Sequence, residues 1–313
     1  MLQKLNIISP IFNEEKNIDN FFNGLKIEKD KLSRNYDINF IFVDDGSTDK
    51  SKQILKNLEK DNDFVKVVFF TKNFGHQNAV LAGLKEFESD MYLVLDADLQ
   101  HDTTLIPQML ENMKKFNCEI VHMKRKYSNY EGVIKRLFSR IFYSIFNKLA
   151  EVQIPKGAPD FFLIKRCVRD EILKTKISYN FIRGFLHWSG FSKVLIEFDQ
   201  IKRKSGKSKF TFIKQLEFAL AGIYYYSNKL PVYFFVMSAV VLFFSFIYLL
   251  FILIGHFFFG NIDSEFPVTL VSILIFGSIS ILFNSVILFI LFKIFSFSSQ
   301  KPNYIKENKK EDE

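Results

Sequence analysis

The chain has 313 residues, 48% of them hydrophobic, and a formal net charge of +8 at pH 7. That basic balance suits either anionic lipid or nucleic acid, but no zinc-finger or RNA-binding signature accompanies it, so nucleic acid is not an expected partner. Cys118 and Cys167 form no C-x-x-C, which excludes a disulfide scaffold; both read as packing residues in a reducing compartment.

No signal peptide is expected, because Asn6 to Phe12 is short and charges begin at Glu14. From there the apolar runs Leu5 to Ile8, Ile38 to Val43, Val65 to Phe70 and Met91 to Leu95 predict strands. Between them, Glu15 to Leu25, Ser47 to Leu58 and Asn78 to Phe87 predict crossover helices. The alternation implies an α/β, Rossmann-like domain with a mostly parallel sheet covered on both faces. In such sheets ligands lie beyond the carboxyl ends of the strands, where this chain places Ser9 to Glu14, Asp44 to Ser47, Thr71 to Gly75 and Asp96 to Gln100. No internal repeat or Gly/Ser linker interrupts residues 1 to about 228, so they are expected to form one domain.

Asp96-Ala97-Asp98 directly follows the fourth apolar run, and period-2 alternation turns Asp96 and Asp98 to the same side of the strand end. Hard oxygen ligands there suit Mg²⁺ or Mn²⁺ bridging phosphate oxygens, although a D-x-D is also a common polar loop. Asp44-Asp45-Gly46-Ser47 fits a turn leading to a helix N-cap by Ser47 or Asp45, and its carboxylates could equally accept hydrogen bonds from a base or ribose. His101 reads as part of a solvated loop, not a ligand. The dinucleotide fingerprint G-x-G-x-x-G is absent, and Gly206-Lys207-Ser208 lacks the first Gly of a P-loop, since position 201 is Ile.

Arg125 ends another strand-like run. Beyond it, apolar residues at 133, 134, 137, 138, 141, 142, 145, 146 and 149 form one stripe flanked by Lys135, Arg136, Arg140 and Lys148. That is the pattern of a helix over about 130–150, either core-facing or lying in a membrane interface; the nearby apolar runs favour the interface. A juxtamembrane helix is expected from Phe210 to Ser227. Val232 to Phe259 and Phe266 to Phe292 contain no Asp, Glu, Lys or Arg, long enough for two transmembrane helices joined by a short hairpin loop. Lys229 precedes the first span, and Lys293, Lys301, Lys306, Lys309 and Lys310 follow the second. Positive residues stay inside, so residues 1–228 and the tail are expected in the cytoplasm of a bacterial cell and the chain integral to its plasma membrane. The charged tail, 299–313, is expected to be disordered.

Four ordered motifs, Ile8 to Glu15, Val43 to Asp49, Asn73-Phe74-Gly75 and Asp96 to Gln100, resemble those of family 2 glycosyltransferases with the GT-A fold. More narrowly the chain is similar to polyprenyl-phosphate glycosyltransferases of the bactoprenol glucosyltransferase and dolichol-phosphate mannose synthase type. The resemblance implies a nucleotide-sugar donor, a polyprenyl phosphate acceptor such as undecaprenyl phosphate, inversion at the anomeric carbon, a divalent metal, and self-association into a homo-oligomer. It implies that Pro10, Phe12, Glu14, Asp44, Asp45, Asn73 and Gly75 hold the nucleotide, with Asp96, Ala97, Asp98 and Gln100 at the diphosphate. Asp98, helped by Asp96 and Gln100, would carry the metal. Arg125, Lys135, Arg136 and Ser139 would bind the acceptor phosphate, and Arg203 and Lys209, in a basic loop, the departing diphosphate.

Asp160-Phe161 is similar to a family motif in which Gly precedes the Asp and Arg follows the Phe; here Pro159 and Phe162 stand instead. Asp160 is nonetheless the carboxylate expected nearest the reacting centre, as base or as orienting group. Two alternatives stand beside this reading. A processive polysaccharide synthase would show Q-x-x-R-W, which Arg183 to Trp188 does not. A membrane-tethered sugar-nucleotide sensor would need neither the acidic pair nor the basic loop.

Overall fold

The computed structural model describes residues 2–126, 155, 157–175, 182–199, 229–259, 265–298 and 304–307. They fall into two compact units, one built on a sheet and one on two long helices. The strands are β1 (Gln3–Ile11), β2 (Tyr36–Asp44), β3 (Val65–Phe69), β4 (Met91–Val94), β5 (Ile120–Arg125), β6 (Phe162–Lys165) and β7 (Lys193–Phe198). Their order is β3-β2-β1-β4-β6-β5-β7. All neighbours are parallel except β6, which runs antiparallel between β4 and β5.

The four expected strands and the three expected crossover helices are present, and the apolar runs explain why. In β1 every residue from Leu5 to Ile11 is buried, which requires cover on both faces. Successive side chains alternate between two cores: Leu5, Ile7, Phe40, Phe42 and Leu93 enter one, Ile8, Ile41, Val43, Tyr92 and Val94 the other. The covering helices are α1 (Ile18–Leu32), α2 (Ser51–Asp61), α3 (His76–Glu86), α4 (Ile106–Lys115), α5 (Arg166–Lys174) and α6 (Ile182–Trp188). Helix α3 lies so close to β1 that a Cβ on Gly83 would stand 2.4 Å from Ile8 Cγ2.

Two details depart from the expectations. Helix α3 starts at His76, two residues early, because Gly75 takes φ 99° and turns the chain into the helix there. Helix α2 starts late, at Ser51, without a side-chain cap; Ser47 and Asp45 are engaged elsewhere. Cys118 is buried as expected, whereas Cys167 is exposed on α5 and packs nothing.

The tail is also ordered at Tyr304–Glu307, contrary to the disorder expected of a charged segment. Lys306 bridges Phe70 in antiparallel fashion; Thr71 N–H donates to Ile305 O (3.1 Å) and Glu307 N–H to Phe69 O (2.8 Å). The segment thereby pairs with the C-terminal end of β3 and the two residues after it, and local charge was outweighed by backbone pairing.

The second unit comprises α7 (Lys229–Phe259) and α8 (Glu265–Ser298), packed against each other. Phe235–Gly255 has mean hydropathy 2.7 and Thr269–Leu291 2.5, long and apolar enough to cross a membrane. Their large side chains point outward: Phe251 is 68% and Phe276 72% exposed, unlike a soluble core helix. The expected interfacial helices, 130–150 and 210–228, lie outside the described residues, as do Lys135, Arg136, Ser139, Arg203 and Lys209.

Candidate active site

The carboxyl ends of β1, β2, β3 and β4 bring the predicted loops together. Pro10 is buried and Phe12 and Glu14 are half-buried at the end of β1. Asn13 adopts φ 53°, which lets its N–H donate to Ser47 Oγ (2.9 Å) while its Oδ1 accepts from Thr48 N–H (2.8 Å). Glu14 N–H donates to Ser51 Oγ (2.9 Å). Asp44 Oδ1 accepts from Ser47 N–H (3.3 Å), and burial raises its pKa.

Asp45 is the hinge between two loops. Its carboxylate accepts Phe74 N–H at 2.6 Å and Gly75 N–H at 2.9 Å, and burial pushes its pKa up to about 6. Gly46, at φ 71°, makes this possible: a Cβ there would lie 2.4 Å from Lys72 C. Asn73 is exposed at the tip of the second loop.

Behind β4 the acidic loop turns sharply, with Leu99 at φ 61° and Gln100 N–H donating to Asp98 Oδ1 (3.1 Å). Ala97 is buried, while Asp96, Asp98 and Gln100 are half-buried. His101 is not in a solvated loop. It is 2% exposed, its ring stacks on Phe161 at 4.9 Å, and its Nδ1 accepts Asp96 N–H at 3.1 Å. Burial and then the nearby Arg125 charge lower its pKa to about 3, so it is a neutral prop for Asp96.

Asp160 is buried and heavily satisfied. Arg183 grips it through Nε to Oδ1 (3.1 Å) and Nη2 to Oδ2 (2.7 Å), and Gln77 Nε2 donates to Oδ2 (2.8 Å). His76 Nε2 stands 3.2 Å from Asp160 Oδ2 and 3.5 Å from Asp96 Oδ1, tying the two carboxylates together. Burial disfavours a charged His76, but Asp96 first and Asp160 next outweigh it and raise its pKa to about 9. Burial pushes Asp96 up to about 6, against the pull of His76 and with the repulsion of Asp98 and Asp160. Asp160 moves the other way: burial would raise it, yet Arg183 and His76 hold it well below the usual carboxylate range.

The backbone before Asp160 has its own support. His122 Nε2 lies 2.7 Å from Pro159 O and its Nδ1 lies 3.0 Å from His187 Nε2. A carbonyl only accepts, so the His122 proton sits on Nε2 and His187 Nε2–H donates to Nδ1. Both rings are neutral, their pKa values lowered by burial to about 4 and about 3. Arg125, at the end of β5, donates its N–H to Gly157 O (2.9 Å) and so abuts the same loop.

Of the residues singled out from sequence, the structure brings Asp96 and Asp160 together through His76, with Asp98 in the loop beside Asp96; His76, Gln77, His122, Arg183 and His187, which surround them, were not singled out. His76 and Gln77 directly follow the Asn73-Phe74-Gly75 motif, the one signal that could have drawn attention to them. His101 directly follows Asp96 to Gln100 but was read as solvated loop, whereas His122, Arg183 and His187 come from distant parts of the chain and carry no local mark.

The carboxylates and their partners thus gather at one edge of a GT-A-like sheet. Residues 6–175 match the family described as glycosyl transferase family 2, and the chain belongs to that family. It is a glycosyltransferase. Among its relatives is a bactoprenol glucosyl transferase from Shigella phage SfV, 31% identical over 309 residues, covering 98% of this chain and 99% of the relative. A prophage bactoprenol glucosyl transferase homolog of Escherichia coli (strain K12) is 30% identical over 303 residues, 96% of this chain and 98% of that protein. Mannosyl-3-phosphoglycerate synthase from Rubrobacter xylanophilus shares the fold, with a TM-score of 0.50 at 12% identity, covering 71% of this chain and 72% of that one.

Proposed function

We propose that the protein transfers a sugar from a nucleotide-sugar, a UDP-sugar before a GDP-sugar, to a polyprenyl phosphate such as undecaprenyl phosphate at the cytoplasmic face of the membrane. The observation that carries the reading is that similarity to bactoprenol glucosyl transferases runs over nearly the whole chain, the two apolar helices included. A lipid acceptor gives those helices a purpose.

The acidic loop suits a divalent cation completed by substrate. Among the described residues no group of three or more His, Cys, Asp or Glu forms a closed cage. Asp96 and Asp98 repel one another enough to help raise Asp96, a repulsion that a cation would relieve. Asp98, with Asp96 and Gln100, would hold Mg²⁺ or Mn²⁺, whose chemistry when bound is to neutralise charge on the departing diphosphate.

The remaining work falls to the chain itself. Asp45 fixes the Phe74-Gly75 turn, and Asp44, Asp45, Pro10, Phe12 and Glu14 at the ends of β1 and β2 would hold the nucleoside. Asp160 is kept ionised by Arg183 and His76, which makes it a weak base and a good orienting group. The acceptor supplies its own nucleophile: a phosphate monoester has a second pKa of about 6 and is largely dianionic at neutral pH. Displacement by that oxygen from the face opposite the diphosphate inverts the anomeric carbon. Arg125, whose charge bears on Asp96 and His101, would receive the acceptor phosphate. Pairing of residues 304–307 with the end of β3 supports the reading that the chain before and after the helical pair lies in one compartment, with an even number of crossings between.

The test is to incubate purified protein with undecaprenyl phosphate, Mg²⁺ or Mn²⁺ and a panel of sugar nucleotides, then weigh the lipid. A mass increase of one sugar is expected. Hydrolysis of the donor with the lipid unchanged would overturn the acceptor.

A further inference from the structure

We infer that Tyr304–Glu307 is a positioning strand for the nucleotide loop, Thr71 to Gly75, so that the segment following the second apolar helix sets how firmly the donor is held. This rests on the reading above that the loop borders the nucleotide.

The connection is continuous. Backbone bonds from Thr71 N–H to Ile305 O (3.1 Å) and from Glu307 N–H to Phe69 O (2.8 Å) bracket Phe70. The Tyr304 ring stacks on Phe70 at 4.9 Å and 16°, and Phe70 meets Phe74 edge-on at 5.7 Å. Phe74 in turn donates its N–H to Asp45. The aromatic column therefore runs from the tail to the carboxylate that fixes the loop. Phe70 is 1% exposed, with Tyr304 stacked on its ring.

The segment is fastened at its other side as well. Tyr304 Oη and Lys306 Nζ each donate to Glu86 at 2.8 Å, and Lys52 pairs with Glu307 at 2.6 Å. Glu86 is the last residue of α3, whose first turn carries His76 and Gln77. Exposed ion pairs of this kind add little by themselves. Their use is in register: with Glu86 taking both Tyr304 and Lys306, the strand cannot slide along β3 without losing the stack.

The experiment uses the full chain in nanodiscs with Tyr304→Ala and Tyr304→Phe, read by amide exchange over residues 69–75 and by steady-state kinetics. Tyr304→Ala is expected to speed exchange at Thr71, Phe74 and Gly75 and to raise the donor KM about fivefold or more, leaving kcat and the acceptor KM within about twofold. Tyr304→Phe keeps the stack and is expected to restore both. Unchanged exchange at Phe74 and Gly75, or faster exchange with an unchanged donor KM, would overturn the positioning role. Should no sugar nucleotide yield a lipid-linked product, the transferase reading fails, while exchange over 69–75 still decides whether the tail holds the loop.

Discussion

Asp160 accepts hydrogen bonds from Gln77 and Arg183 and faces His76, and that company defines what it can do. Removing Arg183 leaves a buried carboxylate short of its main partner. Arg183→Met is expected to lower stability by about 2 kcal/mol, toward the low end for a broken buried pair because Arg183 is partly exposed. Adding Asp160→Asn should recover stability in chemical denaturation but not turnover; recovery of both would make Asp160 a purely structural residue. At the acidic loop, Asp98→Asn is expected to abolish transfer in a folded protein, since an amide supplies no charge to hold a cation against diphosphate. Wild-type turnover in that variant would remove Asp98 from the metal site. His122 carries a pH signature. Its pKa falls from 6.5 to about 4 on folding, so its contribution to stability is complete above pH 6.5 and is lost as pH drops toward 4. Melting temperatures between pH 7.5 and 5 should decline on the acid side, and His122→Gln should flatten that slope, by up to about 1.4 kcal/mol per pH unit. An unaltered slope would mean that the His122–His187 pair is not neutral in the folded protein. These residues also mark the limit of sequence reading: Asp96 and Asp98 announce themselves at a strand end, whereas His122 and Arg183 acquire roles only through contacts made across the fold.

At the level of elements, β1 to β4 and α1 to α3 were legible because the apolar runs alternate regularly with polar, helix-length segments along the chain, which even the four residues of β4 do not break. Strand β6 has four residues and β7 alternates only weakly, so neither stands out from the sequence. The tail was misread for the same reason, since its place is set by the edge of β3 and not by its composition. The tight seat of α3 on β1 gives a further test. Gly83→Ala would drive a methyl into Ile8, and overpacking of this sort costs about 1–3 kcal/mol. Ile8→Ala removes the γ carbons that the new methyl meets, so the double variant should lose less than the sum of the two single variants in the same unfolding measurement; an additive loss would place the strain elsewhere.

Across the whole molecule, the two apolar helices and the returning tail predict a hairpin topology. Reporters at the N-terminus and after Lys301 should both be cytoplasmic, and a tag at Asn261 should be reached from outside. Access to either terminal reporter from the outer face would overturn the orientation and with it the cytosolic donor pool. The returning tail also has a consequence in time. Residues 304–307 leave the ribosome only after both apolar helices have been made, so the end of the β3 edge, at Phe69 to Thr71, lacks these backbone partners while α7 and α8 are being translated. The sheet is completed last at its outermost strand, and a product that stalls within the helices carries an uncapped edge, the feature by which unfinished β-structure associates with other chains.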